Sequence, residues 1–213
     1  MSILPFSIQT LKRLPFYLSL LEDQSDESVT SGEIARILGL TEVQVRKDLA
    51  AISQTAGTPG RGFSRSSLIR DIKIALGYGQ LDEAAIAGVG HLGTALVNYD
   101  GIKQYGLRIV VGFDIKVAKK TWIHETPVYP AHDIVDVIRR MEIRLGIITV
   151  NRENAQTVCD SFIEAGIKAI WNFSPTILRV PDDVIVQNEN LAASLALLSR
   201  HLKAGGHLDT KQE

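Results

Sequence analysis

One stretch decides the fold of this chain: Ala84-Ala85-Ile86-Ala87-Gly88-Val89-Gly90-His91-Leu92-Gly93. A short apolar run ends in Gly-x-Gly-x-x-Gly and passes directly into Thr94-Ala95-Leu96-Val97, which is typical of a helix. In such a motif the first glycine permits a tight turn, the second lets a pyrophosphate approach the backbone, and the third allows close packing of the helix on the strand. The start of the helix offers unpaired N–H groups to phosphates. The stretch predicts a dinucleotide-binding turn; the alternative is an ordinary glycine turn in a parallel α/β domain.

A second apolar strand supports the first interpretation. It is predicted over residues 107–113 and ends at Asp114. An acid at this position holds the 2′-hydroxyl of the adenosine ribose and repels the 2′-phosphate of NADP. The sequence therefore favours NAD, although Lys116, Lys119 and Lys120 lie nearby and leave NADP open.

Composition limits the class of protein. With 213 residues, of which 45% are hydrophobic, the chain can form one large or two modest domains with a packed core. Cys159 is the single cysteine, which excludes a disulfide within the chain and fits a reducing cytoplasm. Long apolar runs, a signal peptide and histidine or cysteine clusters with metal-ligand spacing are absent from the sequence. We expect a soluble cytoplasmic protein with no membrane partner and no metal.

Basic residues are concentrated in one segment of a chain whose net charge is only −1. Residues 34–75 contain three acids and a larger set of basic residues: Arg36, Arg46, Lys47, Arg61, Arg65, Arg70 and Lys73. Such a segment indicates a module that binds a polyanion, beside a domain of another kind. A solvated basic face is the alternative.

The same segment contains two short helices around a glycine turn. Thr30 and Glu33 have the spacing of a capping box, Gly39 follows the first helix, and Thr41 and Gln44 repeat the spacing before the second. This pattern, after a longer first helix, predicts a helix-turn-helix whose second helix enters the major groove of DNA. The alternative is a small helical subdomain with a polar surface.

A glycine-rich stretch follows the second helix and predicts a wing. Residues 55–63 contain Gly57, Pro59, Gly60 and Gly62 around Arg61, and such a turn can contact backbone phosphate. A closing helix is predicted over 64–76. The candidate DNA contacts are Gln44, Arg46, Lys47, Ser53, Gly60, Arg61 and Arg65.

From Ala84 onward, strands and helices alternate. Further strands are predicted over 145–150, 167–173 and 184–186, with a short edge strand at 127–130 and helices over 131–141 and 153–165. Apolar strands between helices favour a parallel sheet covered on both faces, with ligands bound at the carboxyl ends of its strands. The candidate dinucleotide contacts are Gly88, Val89, Gly90, His91, Leu92, Gly93, Asp114, Lys116, Thr149, Val150, Asn172, Phe173, Ser174 and Pro175.

A last amphipathic helix is predicted over 190–203, with Leu191, Leu195, Leu198 and Leu202 on one stripe. The helix could cover its own sheet or dock on a second subunit. A two-fold dimer would suit a helix-turn-helix protein, since such proteins usually bind paired half-sites.

A set of motifs extends along nearly the whole chain: Leu11-Lys12-Arg13-Leu14-Pro15-x-Tyr17, Gln44-Val45-Arg46-Lys47-Asp48-Leu49, Gly88-x-Gly90-x-Leu92-Gly93, Phe113-Asp114, Ala165-Gly166-Ile167-Lys168 and Asn172-Phe173-Ser174-Pro175. In these motifs the chain resembles the Rex family of redox-sensing transcriptional repressors. The resemblance implies a winged-helix domain over 1–79, a Rossmann domain binding NAD(H) over 80–189, a dimerisation helix over 190–205 that is exchanged between subunits, and a tail over 206–213.

The resemblance also implies a function. A homodimer would bind inverted-repeat operators in double-stranded DNA, repress transcription when NADH is scarce, and leave DNA when NADH binds. Tyr99, Asn190 and Leu191 occupy the positions implied to sense the nicotinamide state. The family often has Asp where this chain has Asn190, and many members read Arg-Gly-x-Gly-Tyr where this chain has Pro59-Gly60-Arg61-Gly62-Phe63.

Two other functions fit parts of the sequence. A small NAD-dependent oxidoreductase would use the same cofactor domain, but no substrate domain and no histidine-based acid–base set is visible. A regulator that senses another nucleotide, such as coenzyme A, would use a similar sheet, whereas Asp114 favours a free ribose. The sequence therefore predicts a regulator without enzymatic activity.

Overall fold

The computed structural model describes residues 6–53, 62–78, 82–104 and 106–203. The described residues up to Tyr78 form one compact unit, and those from Asp82 onward form a second. The predictions for Gly60 and Arg61 and for the tail over 206–213 lie outside the described residues.

The first unit is built from four helices and a two-stranded sheet. Its elements in chain order are α1 (Ile8–Asp23), β1 (Ser28–Val29), α2 (Ser31–Leu38), α3 (Glu42–Ile52), β2 (Phe63–Ser64) and α4 (Arg65–Ala75). Helices α2 and α3 are the predicted helix-turn-helix. The helices enclose one core, whose fully buried members include Leu14, Leu21, Ile34, Val45, Leu49, Leu68 and Ile72.

Local signals in the sequence set the limits of these helices. The Thr30 side chain accepts the Glu33 backbone N–H, and the Glu33 carboxylate accepts the Thr30 N–H, which is the predicted capping box. Gly39 ends α2 with a φ of 68°, a left-handed conformation that glycine adopts at little cost. The base of the wing is a short antiparallel pairing in which Val29 lies opposite Phe63.

The second unit is an α/β domain. Its strands are β3 (Asp82–Ala87), β4 (Leu107–Asp114), β5 (Thr121–Ile123), β6 (Thr126–Pro130), β7 (Leu145–Ile148), β8 (Ala169–Asn172) and β9 (Ile185–Asn188). Its α-helices are α5 (His91–Val97), α6 (Asp100–Gln104), α7 (Ile134–Met141), α8 (Arg152–Ala165) and α9 (Leu191–Lys203), and a 3₁₀ turn over Ala131–Asp133 precedes α7.

The sheet has the strand order of a dinucleotide-binding fold. The order is β5-β6-β4-β3-β7-β8-β9, and every pairing is parallel except that of β5 with β6. Without β5, this is the doubly wound 3-2-1-4-5-6 order, in which the direction of winding reverses between β3 and β7. Ligands bind such sheets at the carboxyl ends of the strands beside this reversal.

The two faces of the sheet carry separate hydrophobic clusters. On one face, Val137 and Ile138 of α7 and Cys159 and Phe162 of α8 pack against the strands. The other cluster contains Ile102 of α6, with Leu96 and Val97 of α5 packed against it. The sheet is therefore covered on both sides. Burial raises the pKa of the Cys159 thiol to about 11, which disfavours the thiolate form.

The structure corrects four predictions of secondary structure. Residues 127–130 are not an edge strand, because β6 lies inside the sheet and the unpredicted strand β5 forms the edge. Residues 24–29, whose polar sequence predicts a simple connection, end in the short strand β1. Pro15 within the first apolar stripe predicts either a kink or the start of a second helix, but no second helix begins there, because α1 continues through it. The predicted helix over 131–141 begins with a 3₁₀ turn and becomes α-helical only at Ile134.

Membrane spans and metal-binding clusters are both lacking in the part of the chain that the structure describes. None of the helices in these ranges is long and apolar enough to cross a membrane. Within the same ranges, no three His, Cys, Asp or Glu side chains are grouped so that they could hold a metal ion.

Candidate functional sites

The glycine turn lies at the carboxyl edge of the sheet, beside the ends of three other strands. In the ladder, Ala87 is paired with both Phe113 and Ile148, and Ile148 with Asn172. The next residues along these strands are Gly88, Asp114, Thr149 and Phe173. Because neighbouring parallel strands are about 4.8 Å apart, the register brings these four predicted site residues side by side.

Two of the three motif glycines are required by the protein itself. Gly88 has a φ of 92°, and a Cβ there would lie 2.9 Å from the Thr149 carbonyl carbon and from the Val150 backbone nitrogen. A Cβ at Gly93 would lie 1.9 Å from the Gly88 carbonyl oxygen. The strand, the turn and helix α5 therefore fit together only with glycine at these two positions.

Gly90 differs, because the protein itself does not exclude a side chain there. Its φ of −67° and ψ of −160° are open to any residue. A Cβ at Gly90 would meet no heavy atom of the described residues within 4 Å. The space above the turn is therefore free for a ligand to approach the backbone, as a pyrophosphate does in this motif.

Two threonine hydroxyls donate hydrogen bonds to backbone carbonyl groups of the turn. Thr94 donates to the Val89 carbonyl at 2.9 Å, and Thr149 donates to the carbonyls of Gly88 and, at 3.1 Å, Ala87. The acceptors of the turn are thereby engaged within the protein. The amide donors at the start of α5, where His91 and Leu92 are exposed, are left for an anion.

Asp114 is tied directly to the glycine turn. One carboxylate oxygen accepts the Val89 backbone N–H at 2.9 Å, and the other accepts the Lys116 backbone N–H at 2.9 Å. These bonds fix the carboxylate at the end of β4, and each oxygen keeps a further lone pair for a hydroxyl donor. Lys116 contributes its backbone here, and its side chain is exposed.

Asn172 organises the loop that follows β8. Its side chain is 0% exposed; the amide nitrogen donates to the Thr176 carbonyl and to Asn188, and the amide oxygen accepts the Ser174 N–H at 3.0 Å. The bonds to Thr176 and Ser174 hold the loop, and the bond to Asn188 ties β8 to β9. In this structure Asn172 therefore shapes the edge of the crevice through the loop and does not face it.

A second contact on this loop is one that the sequence did not predict. Arg152, the first residue of α8, donates from Nε and a terminal nitrogen to the Pro175 carbonyl at 3.1 and 2.8 Å. Ser174 is buried, and its hydroxyl has no hydrogen-bond partner among the described residues. Arg152 and Pro175 are 23 positions apart in the sequence, so no local pattern indicates the contact between them.

The apolar candidates border the crevice from both faces of the sheet. Phe173 is half-buried and contacts the Trp171 ring at a tilt of 57°, with ring centroids 4.5 Å apart. It packs against the same cluster as Val89. Val150 packs against the cluster on the opposite face. Apolar surface is therefore available on both sides of the strand ends.

The three switch candidates are not brought to the glycine turn within one chain. Tyr99 is 59% exposed and lines an open cavity of about 780 Å³ with Glu83 and Leu107, at the amino ends of β3 and β4. Asn190 is exposed, and its side-chain oxygen caps α9 by accepting the Ala193 N–H at 3.0 Å. The side chain of Leu191 lies outside the described atoms.

In the first unit, α3 exposes three of the residues predicted to contact DNA. Val45 and Leu49 are 0% exposed and hold the helix on the core. Gln44 and Lys47 are exposed on the remaining surface, and Arg46 is exposed while paired with Glu42 one turn earlier. These positions suit a helix that presents polar side chains to a DNA groove.

Two other predicted DNA contacts are engaged within the protein. The Ser53 hydroxyl, at the end of α3, donates to Asp71 of α4 at 3.3 Å. The Arg65 guanidinium donates to the Leu21 carbonyl at 2.8 Å, so it caps the last turn of α1. The two bonds tie α4 to the end of α3 and to the end of α1.

A buried ionic network holds α3 on α1. The Asp48 carboxylate accepts bonds from Thr10 at 3.0 Å, from two nitrogens of Arg13 at 2.7 and 2.8 Å, and from Tyr17 at 2.7 Å. Burial alone would raise the pKa of Asp48, but the hydrogen bonds from Arg13, Tyr17 and Thr10 outweigh burial and lower the pKa. Asp48 is thus structural, and these three partners lie on α1.

We expect Asp48→Asn to destabilise the first unit by about 3 kcal/mol at pH 7, because it leaves the Arg13 guanidinium without its counter-ion. The folded pKa of Asp48 is lowered, so its contribution is present above the unfolded pKa of about 3.9 and is lost as pH falls through the folded value. Urea unfolding of both proteins at pH 7 and pH 3 would measure the difference, which should shrink at pH 3.

Glu22→Gln is the matched control for this experiment, since it breaks the exposed Lys73–Glu22 pair between α4 and α1. Exposed pairs contribute less than about 1 kcal/mol. An equal loss of stability in the two variants would contradict the assigned role of Asp48.

A winged helix-turn-helix unit followed by a dinucleotide-type α/β unit defines a class, that of DNA-binding regulators that respond to a ligand. Two protein-family models match the chain: "CoA binding domain" over residues 80–176 and "Putative DNA-binding protein N-terminus" over residues 7–50. The redox-sensing transcriptional repressor Rex of Bacteroides thetaiotaomicron is 36% identical, over 91% of this chain and 89% of its own length.

Solved structures agree with this class. RSP, a Rex-family repressor, is 33% identical in its complex with β-NAD⁺ and operator DNA, with a TM-score of 0.86 over 93% of both chains. Its complex with β-NADH matches with a TM-score of 0.84 over 96% of both chains. The chain belongs to the Rex family of redox-sensing transcriptional repressors. The predicted family and the winged-helix plus Rossmann layout are thereby confirmed.

Proposed function

We propose that this protein is a dimeric repressor that binds NAD(H) at the glycine turn, binds an inverted-repeat operator through α3, and leaves DNA when NADH binds. The observation that carries the proposal is the open position at Gly90 beside the fixed carboxylate of Asp114, at one edge of the sheet. The first leaves room for a pyrophosphate, and the second offers acceptors to a ribose. RSP, which is complexed with NAD⁺ and operator DNA in one structure and with NADH in another, supports the assignment.

The domain organisation follows from this proposal. Residues 1–79 would bind DNA, residues 80–189 would bind the dinucleotide, residues 190–205 would dimerise, and residues 206–213 would be a tail. The single cysteine is consistent with a cytoplasmic regulator.

Helix α9 is the proposed dimerisation element. Its side chains at Leu195, Leu198 and Leu202 are 68%, 58% and 81% exposed, so this stripe is not buried within the chain. Trp171 and Phe173, on the same face of the sheet as α5, are only half-buried and leave apolar surface open. Exchange of α9 between two subunits would bury such a stripe, as the family resemblance implies.

The redox switch would use Tyr99 of one subunit together with Asn190 and Leu191 of the other. Tyr99 is exposed and lies near the amino end of β3, whereas the glycine turn follows the carboxyl end of this strand. This placement favours a hydrogen-bond partner for Tyr99 from a second chain. Asn190 can bond a phenol, but a neutral amide carries no charge with which to sense an oxidised ring. Discrimination would then depend more on the apolar borders at Phe173 and Val150, which prefer the uncharged reduced nicotinamide.

Asp114→Asn is expected to weaken discrimination against NADPH. The charge that repels a 2′-phosphate is lost, while one side-chain oxygen remains to accept an N–H of the turn. We expect the ratio of NADPH to NADH dissociation constants to fall about ten-fold, a change of ~1.4 kcal/mol. Nucleotide fluorescence titration would measure both constants, with Asp82→Asn, an exposed position at the opposite, amino end of β3, as control. An unchanged ratio would contradict the role of Asp114.

A regulator that senses coenzyme A is a second candidate, because the family model over residues 80–176 is described as a CoA binding domain. Asp114 favours NADH, since the ribose of coenzyme A carries a 3′-phosphate that a nearby carboxylate would repel. Differential scanning fluorimetry with NADH and coenzyme A separates the two: a larger stabilisation by coenzyme A would favour the second candidate.

Reciprocal coupling tests the proposed switch. If NADH weakens operator binding by some factor, then operator DNA must weaken NADH binding by the same factor. We expect NADH titrations with and without a saturating operator duplex to differ by at least about ten-fold, or ~1.4 kcal/mol of coupling. Equal NADH affinities in the two titrations would contradict the switch. The control is a scrambled duplex of the same length, titrated at the same salt concentration.

A further inference from the structure

The exposed face of α3 has an apolar residue at its centre. With about 100° of rotation per residue, Val43 lies opposite Ile52 and between Arg46 and Lys47 around the helix. Val43 is 59% exposed, whereas Val45 two positions later is 0% exposed. The proposed DNA contacts thus surround an aliphatic side chain that points away from the core.

The fold does not account for valine at this position. Val43 is neither one of the buried residues of α3 nor one of the hydrophobic residues packed against the core of the first unit. A β-branched side chain also loses rotamer freedom in a helix and gains nothing there without packing. A polar or unbranched residue would stabilise the exposed first turn of a helix better than valine does. We therefore infer that contact with a binding partner favours valine at this position.

The major groove of DNA offers one apolar group, the C5-methyl of thymine. Residues at the start of a recognition helix are those that contact base edges. Val43 is the second residue of α3, immediately before Gln44. We propose that Val43 is a specificity-determining residue that packs against one thymine methyl in each operator half-site. This inference rests on the proposed function, because it requires α3 to read DNA.

The experiment replaces thymine by deoxyuridine, which lacks only this methyl group. In an operator duplex selected from a library of inverted repeats, each thymine is replaced in turn by deoxyuridine, at the same position of both half-sites. Binding is measured by fluorescence anisotropy at fixed salt. Removal of one buried methyl group weakens binding about four-fold, and removal from both half-sites about fifteen-fold. We expect such a decrease at one thymine position in the native protein. Val43→Ala should bind the unmodified operator correspondingly more weakly and show no further decrease at that position.

Ile74→Ala is the matched control, since Ile74 is 57% exposed on α4, outside the recognition helix. It should keep the native sensitivity to deoxyuridine. An identical deoxyuridine profile in the native protein and Val43→Ala would overturn the inference. Absence of any preference for the selected operator over a scrambled duplex would instead overturn the proposed function. The midpoint of thermal unfolding should be the same for Val43→Ala as for the native protein, so that both proteins are compared in the folded state.

Discussion

Gly90→Asp is expected to abolish the response to NADH while leaving operator binding intact. The backbone at Gly90 accepts any residue, and aspartate is favoured at the N-cap position that Gly90 occupies before α5. The new carboxylate would occupy the amide donors of the turn and repel the pyrophosphate. At about 4 Å and an effective dielectric constant of ~20, that repulsion is about 4 kcal/mol, or on the order of a thousand-fold in NADH affinity.

Two other glycine variants make this result specific. Gly90→Ala adds a methyl group with no described atom within 4 Å of its position and no charge, so it should keep more NADH affinity than Gly90→Asp. Gly93→Ala would force its Cβ against the Gly88 carbonyl and should lose both NADH binding and thermal stability. Isothermal titration with NADH and thermal unfolding distinguish the three. Native release from DNA by NADH in the Gly90→Asp protein would contradict the assigned site.

Arg46→Ala with Lys47→Ala is expected to have the opposite effect. Both side chains are exposed on α3, and Val45, Asp48 and Leu49 hold the helix without them. Each base or phosphate interaction contributes about 1–3 kcal/mol, so removal of both side chains should weaken operator binding on the order of a hundred-fold or more. The slope of log affinity against log salt should also become shallower, by about 0.9 for each phosphate that is no longer neutralised. NADH binding should remain native.

A matched charge control separates direct binding from net charge. Arg139→Ala with Arg140→Ala removes the same two charges from exposed positions on α7 in the second unit. We expect this variant to keep most of the operator affinity in an anisotropy titration. Equal decreases in the two double variants would show that overall charge, and not the face of α3, determines binding.

Those features of the fold that local rules dictate were predictable from the sequence. The capping box of Thr30 and Glu33, the left-handed Gly39 and the glycine turn each depend on residues within a few positions. The approach of Asp114 to the turn was predictable too, because parallel strands align their carboxyl ends. Local sequence rules and the alignment of parallel strands therefore suffice for the core of the candidate dinucleotide site.

Short and context-dependent elements were missed for physical reasons. Strands β1 and β5 have two and three residues, too few for an alternating pattern to emerge. The position of β6 inside the sheet depends on its pairing with β4 and β5, which its own proline-flanked sequence does not encode. Register and strand order are properties of the whole sheet.

The contacts of polar side chains were the least predictable part of the site. Asp48 meets Arg13 and Tyr17 across 35 and 31 positions of sequence, and Arg152 meets the Pro175 carbonyl across 23. Asn172 was predicted as a ligand contact from its position at a strand end, and its amide bonds to Asn188 and to the Ser174 N–H were not indicated by the sequence. Such pairings depend on the packed structure, and no periodicity indicates them.

The most direct test of the proposed redox switch is operator binding as a function of nucleotide. An operator selected from a library of inverted repeats is titrated with the protein at fixed salt, in the presence of NADH, NAD⁺ or NADPH at equal concentrations. We predict specific binding that NADH releases and that NAD⁺ and NADPH release far less. Specific binding that is indifferent to all three nucleotides, or no specific binding at all, would contradict the switch.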